Sequence, residues 1–330
     1  MGSELTQILM LHRIIPAAPA AFGLPDCYRI RGTALTVDEL ERVLHEAGPV
    51  LPLEAVERAL NAGETPPPGT VLTFDDGYRE HLDVVAPLLH ECGATATFYV
   101  ATGLHGDGEA LAPVDAWYWL LDHAERAEAA VPMPGGGVYR GRVNTLEGKA
   151  AWVTGPPKAA MLAATPIERA RMLESLRDSV GVTIPNDLAR RLYLTREDWR
   201  GLVSLGMRVG AHSVSHPRLT QLDHHELDRE VGESVRAIAD VCPPVAFAYP
   251  DGAFDERVLA RVLTAGVSSA VTCTPEPVVR STSPLLFPRR VAGTSSEAAY
   301  TPGRETPAVS ALIREAGGDA DSGIDPPAWC

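Results

Sequence analysis

The stretch "LTFDDGYREH", residues 72–81, ends an apolar run with two adjacent carboxylates and a glycine. Adjacent carboxylates repel each other, and at a strand end they are partly shielded from water, so a chain keeps such a pair only where another group compensates for the charge. Asp75 and Asp76 follow residues typical of a buried strand, and Gly77 breaks the pattern at once. The pair is therefore the first candidate for a functional site.

Apolar runs of strand length recur along the chain, and most are continuous rather than alternating, as expected for strands buried on both faces of a parallel sheet. The seven runs are Ile8–His12, Val71–Asp76, Ala96–Ala101, Arg208–Ser213, Val245–Pro250, Ser268–Cys273 and Leu286–Ala292. Amphipathic segments with helix start and stop signals lie between many of them. Strands that alternate with helices predict a parallel α/β fold, and seven strands favour a barrel-like closure over a short open sheet.

Residues 104–194 interrupt this alternation. They contain "PVDAWYWLLDHAERAEAA", a glycine-rich turn at 134–137 and the helical segment "TPIERARMLESLRDSVG", with no clear strand pattern. We expect a long, mainly helical insertion within a barrel that spans residues 1–295. The insertion is either a lid over the site or a helical appendage without contact to substrate, and we favour the lid. Residues 296–330 are rich in Ala, Gly, Pro and Ser and are expected to form a flexible tail.

Composition excludes several classes of partner. The chain has 330 residues, of which 45% are hydrophobic and 22% charged, and its formal charge is −14. No basic block offsets this charge, so a nucleic-acid or anionic-membrane partner is not expected. The five cysteines are scattered and odd in number, which argues against a cysteine-based metal or redox site. No apolar window is long enough to span a bilayer, and residues 1–7 lack the basic start of a secretory signal, so we expect a cytoplasmic protein of unknown oligomeric state.

A second polar constellation, "VGAHSVSHPRLT" at 209–220, places His212 at a strand end and His216 four residues later. Two imidazoles at this spacing can converge on one ion, and a carboxylate can complete the ligand set. Parallel α/β barrels carry their chemistry at the carboxyl ends of the strands, so this motif and the aspartate pair would open onto the same face. Together they predict a metal site.

The combination of "TFDDG" at 73–77 with "HSVSH" at 212–216 resembles the polysaccharide deacetylases, the NodB-type domains of carbohydrate esterase family 4. Further similarity lies in "FAYPDGAFDERVL" at 247–259 and "FPRRV" at 287–291, and the resemblance covers roughly 8–103 and 195–293. It implies a deformed (β/α)7 barrel, a divalent metal that is usually zinc, and hydrolysis of N-acetyl groups from amino sugars.

The resemblance also implies roles for individual residues. Asp76 would be a metal ligand together with His212 and His216, while Asp75 would be the catalytic base. Three protein ligands leave a metal open to water and to the acetyl carbonyl, as in other catalytic sites. The arginine that orients the base would be Arg289, with Arg290 as the alternative, because neighbouring strand residues point to opposite faces.

Two features depart from the common family pattern. No histidine motif for the general acid follows "FPRRV", whereas "ILMLHRI" at 8–14 resembles a permuted branch in which the equivalent strand comes first, so His12 is the candidate acid. A partly buried rim histidine is the alternative. The oxyanion motif, commonly Pro-Tyr-Gly, reads Pro250-Asp251-Gly252 here. Tyr249 and Asp251 are the candidates for oxyanion or substrate contacts, with the Asp251 N–H as the donor.

The sequence thus predicts a metal-dependent N-deacetylase. The absence of an export signal and the large insertion favour a soluble glycoside or a glycosylated natural product over a polymer, similar to the substrates of deacetylases in glycopeptide-antibiotic biosynthesis. Two alternatives stay open: a hydrolase of other amides, such as the allantoinase-like enzymes that open cyclic ureides, and a carbohydrate-binding barrel that has lost its chemistry.

Overall fold

The computed structural model describes residues 5–15 and 27–292. Within them the strands are β1 (Thr6–Leu11), β2 (Arg13–Ile15), β3 (Ala34–Thr36), β4 (Gly69–Phe74), β5 (Thr97–Val100), β6 (Glu128–Pro132), β7 (Val138–Arg142), β8 (Arg208–Ala211), β9 (Ala246–Ala248), β10 (Ser269–Val271) and β11 (Arg290–Val291). The helices are α1 (Cys27–Arg31), α2 (Val37–Glu46), α3 (Leu53–Asn61), α4 (Ala86–Glu91), α5 (Pro113–Asp122), α6 (Leu146–Thr154), α7 (Pro156–Ala163), α8 (Pro166–Val180), α9 (Leu188–Leu192), α10 (Arg196–Ser204), α11 (His224–Ala239) and α12 (Glu256–Thr264). A π-helical turn at His81–Val85 and 3-10 turns at Leu219–Gln221 and Pro250–Gly252 complete the set.

A curled, parallel seven-stranded sheet forms the centre, in the order β10-β9-β8-β5-β4-β1-β11. The segment 287–291, which includes β11, connects the two edges of this sheet. Phe287 forms a parallel bridge with Val271 at the end of β10, and Arg290 and Val291 pair with β1. This segment therefore spans the gap between the edge strands and gives the sheet the barrel-like form predicted for a deformed (β/α)7 barrel.

Side-chain alternation divides the sheet into two layers. Ile8, Val71, Tyr99 and Phe287 belong to one buried cluster, whereas their chain neighbours, such as Leu72, belong to the larger cluster beneath the helices. The first cluster draws on strands from all around the sheet, so it fills the barrel interior. Because both faces are covered, the strands are apolar throughout, which is why they were recognisable as continuous runs.

Helix α3 closes the amino-terminal end of the barrel. Its Leu53 and Val56 join the interior cluster. Its buried Glu57 accepts a hydrogen bond of 2.5 Å from Ser269 and forms an ion pair with Arg208 at 3.0 Å. Ser269 and Arg208 begin β10 and β8, so this charged cluster lies at the opposite end of the sheet from the strand ends that carry Asp75 and His212. The polar residues lie at the other end of the barrel, where the strands have their carboxyl ends.

Helices lie between many of the barrel strands, as the alternating pattern predicts. Thr36, Thr195 and Asp223 each form a capping box with the third residue of the helix that follows. Between β4 and β5, the π-helical turn at His81–Val85 continues directly into α4.

The insertion differs in part from its prediction. It is mainly helical, but it also contains the antiparallel hairpin β6–β7, whose turn includes the glycines at 135–137. The small sheet β2–β3 was also not predicted. The lid interpretation and the barrel boundaries stay predictions, and the tail at 296–330 lies outside the described residues. No helix within the described ranges combines the length and the apolar character that crossing a membrane requires.

Candidate active site

Residues that directly follow three barrel strands meet at one end of the sheet. His12 follows β1, Asp75 follows β4 and His212 follows β8. The register pairs Leu11 with Phe74, so His12 and Asp75 lie opposite each other on neighbouring strands. By alternation, Asp75 shares the interior face with Val71, and the polar residues form a layer above the apolar interior.

Three residues at this end of the sheet can hold a metal ion. The ligand atoms of Asp76, His212 and His216 all lie within 4.8 Å of one another. Asp76 Oδ1 is 3.8 Å from His212 Nε2 and 3.6 Å from His216 Nε2. His212 Nδ1 donates a hydrogen bond of 2.8 Å to the Ala248 carbonyl, which leaves its Nε2 unprotonated and directed at Asp76. The sequence-predicted ligand set is thus brought together.

This donor set fits a divalent metal. Ligands about 2.0–2.2 Å from a tetrahedral zinc ion lie roughly 3.3 Å apart, close to the separations found here. Desolvation raises the pKa of Asp76 to about 7, with Asp75, Asp115 and Asp251 adding to the effect. A carboxylate in these surroundings requires a cation, either a proton or a metal. The donors do not select among zinc, cobalt, nickel and manganese, so zinc stays a prediction.

Asp75 is paired with a buried arginine from the closing segment. The Arg289 guanidinium donates two parallel hydrogen bonds to its carboxylate, at 2.7 and 2.8 Å. Arg289 is fully buried, and it also donates to the Thr272 carbonyl and to Thr73 Oγ1 at 3.0 and 3.1 Å. Arg290 is exposed. Of the two arginines considered from the sequence, the structure places Arg289 against the candidate base.

The two adjacent aspartates have opposite electrostatic environments. Burial raises the pKa of Asp75, but Arg289 and His212 outweigh it and hold that pKa far below its usual range. Asp76 instead turns away from the arginine, with a φ of 74°. Gly77 follows with a φ of 76°, and a Cβ there would lie 3.0 Å from Val100 Cγ1, so only glycine fits. Asp75 is therefore ionised and held off the ligand set.

Backbone strain is concentrated at this site. Among the described residues, the non-glycine positions with positive φ are Asp76, Ser213, His216 and Asp251, with φ between 55° and 74°. All four belong to the three loops that carry the candidate ligands and the candidate oxyanion donor. Such conformations persist only where the surroundings over-determine them, and they cluster at functional sites.

His12 lies in the site, but no carboxylate of the described residues forms a hydrogen bond with its Nδ1. Desolvation lowers its pKa to about 4, against the opposing effect of Asp75, so the ring is neutral near pH 7. Its buried Nδ1 finds no hydrogen-bond partner in the described part of the chain. The fully buried His81 donates from Nε2 to the His12 carbonyl at 2.7 Å and thereby fixes the main chain there. Sequence reasoning missed this role of His81, because a position on a helix alone does not show a buried contact.

Of the two oxyanion candidates, Asp251 lies at the rim of the site and Tyr249 is buried. Tyr249 is fully buried, and its hydroxyl donates to the Leu285 carbonyl at 3.1 Å. Its side chain packs in the layer beneath the helices, and its N–H donates to the Val271 carbonyl at 3.2 Å. A contact of Tyr249 with the oxyanion or the substrate stays a prediction. Asp251 lies at the rim, 3.9 Å from Arg218. Against the effect of desolvation, Asp76 and then Asp251 raise the pKa of His216. The role of the Asp251 N–H stays a prediction.

Aromatic residues of the insertion fill its own core. Trp117 and Tyr118 are buried, and Trp119 is half-buried with its ring stacked on His123. Lys158 of α7 donates to the Tyr118 hydroxyl at 2.6 Å. Desolvation lowers the pKa of Lys158 to about 7, partly offset by Asp251.

Glu230 of α11 fixes the loop between the two histidine ligands. This buried carboxylate accepts hydrogen bonds from the N–H groups of Val214 and Ser215, at 2.9 and 2.8 Å, and from Ser215 Oγ at 2.8 Å. Sequence reasoning missed Glu230. A glutamate on the apolar face of the helix that follows the histidine motif is a pattern that could have indicated a buried contact.

We expect Glu230→Gln to weaken zinc binding by about tenfold to a hundredfold, because an amide nitrogen cannot accept the hydrogen bonds that hold the loop. Titration against a chromophoric chelator measures the affinity. Glu233→Gln, an exposed position on the same helix, is the matched control and should bind as the unmodified protein does. Equal affinities for the two variants would contradict a role for Glu230.

Comparison with known proteins agrees with this geometry. The model of a family described as polysaccharide deacetylase matches residues 62–125 and 184–270. A chitooligosaccharide deacetylase of Rhizobium leguminosarum bv. trifolii is 36% identical over 70 residues, which are 21% of this chain and 33% of that protein. The match thus spans about a third of the curated relative.

Solved structures share the fold. The Streptococcus pyogenes deacetylase PplD, in complex with acetate, superposes with a TM-score of 0.54 at 19% identity over 87% of this chain and 92% of its own. IcaB from Ammonifex degensii gives a TM-score of 0.52 at 14% identity over 95% and 98% of the two chains. The family match covers both the aspartate and the histidine motifs, and it identifies residues 62–125 and 184–270 as a polysaccharide deacetylase domain.

Proposed function

We propose that this protein is a metal-dependent hydrolase that removes an N-acetyl group from an amino sugar. The observation that carries the proposal is the separation of charge within one site: an ionised Asp75 paired with Arg289 lies beside a ligand set of one carboxylate and two imidazoles. A base next to an electrophilic cation is the combination that amide hydrolysis by water requires.

A divalent metal bound by Asp76, His212 and His216 would polarise the acetyl carbonyl and lower the pKa of water. The chain's own residues supply the rest. Asp75 accepts a proton from the attacking water, and Arg289 keeps that carboxylate oriented and ionised. The Asp251 N–H donates to the oxygen on which negative charge develops.

The amine must leave with a proton, and His12 is the residue we assign to deliver it. Its position opposite Asp75 supports this role. Because the ring is neutral before the reaction, His12 has to receive a proton first, and the water proton accepted by Asp75 is the one that the reaction makes available. The pair would then relay that proton from water to the amine.

The substrate class we favour is a soluble N-acetylglucosaminide or a glycosylated natural product rather than a polymer. The insertion supports this preference because its Lys158 lies close enough to the rim residue Asp251 for the two charges to interact, and an insertion beside the rim would restrict a long chain. Zinc as the metal and a cytoplasmic location complete the proposal.

Acetate release tests the function. We expect the zinc-loaded protein to release acetate from a soluble N-acetylglucosaminide faster than from chitin oligomers, to lose activity with a chelator and to regain it with zinc. Asp75→Asn should keep the metal and lower turnover by about 10²–10⁴-fold, because the base is lost. A preference for oligomers would overturn the substrate class, and full activity of Asp75→Asn would overturn the base.

The arginine pair offers a matched comparison. Arg289→Lys should lower turnover by about a hundredfold, because lysine cannot donate the two parallel hydrogen bonds that orient Asp75. Arg290→Lys, at the exposed neighbouring position, should leave turnover unchanged. Steady-state kinetics of both variants, with metal content measured alongside, decide the assignment; similar losses in the two would contradict it.

The His12→Ala variant tests whether His12 is the general acid or a metal ligand. We expect turnover to fall by about 10²–10⁴-fold while metal content stays the same. His90→Ala, an exposed histidine on α4, serves as the control. Loss of metal from His12→Ala would make His12 a ligand, and unchanged turnover would make it a rim residue without a catalytic role.

A further inference from the structure

A buried carboxylate of the insertion lies at the centre of a tyrosine cluster beside the site. Asp115, in the first turn of α5, is 1% exposed. Its carboxylate accepts hydrogen bonds from Tyr28 at 2.6 Å, from Tyr78 at 3.0 Å and from Tyr193. Burial, followed by Asp115 itself, raises the pKa of each tyrosine, so the hydroxyls stay protonated and donate. No lysine or arginine in the described ranges forms an ion pair with Asp115.

The tyrosines attach Asp115 to the loop that carries a metal ligand. Tyr78 lies two residues after Asp76, and it forms an antiparallel bridge with Tyr193 at the end of the insertion. Main-chain hydrogen bonds flank this bridge, from Leu194 to the Gly77 carbonyl at 2.9 Å and from Arg79 to the Leu192 carbonyl at 2.7 Å. The loop that starts at Asp76 is thus held by the insertion through both backbone and side chains.

The same tyrosines surround the residue next to the candidate acid. The guanidinium of Arg13 lies 4.6 Å from the ring centre of Tyr28 and 4.8 Å from that of Tyr78. Arg13 also pairs with Glu80 at 2.7 Å. Because Arg13 follows His12 directly, the tyrosines that Asp115 holds also fix the chain on the His12 side of the site.

We infer that Asp115 is a positioning residue: it orders Tyr78, and through it holds the Asp76 loop in the strained conformation that directs this carboxylate at the two histidines. The insertion then has a role that neither a lid nor an appendage describes, because its first helix and its last residues help to build the metal site. The inference rests on the proposed function only in taking Asp76 as a ligand.

Asp115→Asn tests the inference in the full chain, because asparagine keeps the shape but replaces one accepting oxygen with a donor. We expect zinc affinity, measured by chelator competition, to fall by about tenfold or more. Amide hydrogen exchange in residues 74–80 should become faster at the same time. The affinity readout does not depend on turnover, so a failed acetate assay would not affect it.

Asp122→Asn is the matched control on the same helix. Asp122 accepts from Lys149 Nζ at 2.7 Å and from the Cys27 N–H at 3.1 Å, so it connects the helices but not the Asp76 loop. We expect it to lower stability while leaving zinc affinity and exchange at 74–80 unchanged.

If Asp115→Asn does not fold, Tyr78→Phe removes one hydroxyl and should give the same two changes in smaller amount. In a double variant of both positions the loss of affinity should be less than additive. A folded Asp115→Asn with unchanged zinc affinity and unchanged exchange would overturn the inference, as would equal effects from Asp122→Asn. If the unmodified protein binds no zinc, the exchange rates alone decide.

Discussion

The buried pair between Arg289 and Asp75 is the interaction on which the site depends. Burying an arginine completely is costly unless a partner and further acceptors satisfy it. Here the carboxylate takes two of its hydrogen bonds, and a carbonyl and a hydroxyl take the others. Arg289 belongs to the segment that bridges the two edges of the sheet. Closing the barrel and compensating the charge of the aspartate pair are therefore achieved by the same few residues.

This pairing explains how two neighbouring carboxylates acquire different chemistry. Asp75 stays ionised because the arginine is fixed against it, whereas Asp76 is turned by its positive φ towards two imidazoles and has its pKa raised to about 7. Environments that push the pKa values of adjacent groups apart are how one site obtains both a base and a cation-binding group. Asp76, the aspartate that lacks the arginine, is the one whose charge must be balanced by a proton or by a metal ion.

Much of this could be predicted from the sequence because strands and strand ends are local features. The apolar runs located the barrel strands, and the polar residues that follow them, Asp75 and His212, met as expected. The direction of the Tyr249 side chain follows from strand alternation: Ala246 and Ala248 face the interior, so Tyr249 faces the helices.

Other features were not visible in the sequence because they depend on long-range packing. The strand "EAAVP" carries alanines and a proline and forms no recognisable pattern. It is held from outside, where Ser179 of α8 accepts from the Ala130 N–H at 2.7 Å. Glu230 and Asp115 are charged residues on helices, and only the fold shows that each is buried against a loop of the site.

The two ends of the insertion lie within the stretches that the family model matches, and its middle part lies between those stretches. Asp115, Tyr78 and Tyr193, which surround the Asp76 loop, lie within the stretches that the family model matches, whereas residues 126–183 lie between them. That middle part packs into the same buried cluster as Tyr78, and it carries Lys158. Because the residues that hold the loop come from the two ends of the insertion, changes at Lys158 can be made without removing the contacts that position Asp76. Effects on substrate preference and effects on metal binding should therefore be separable within one insertion.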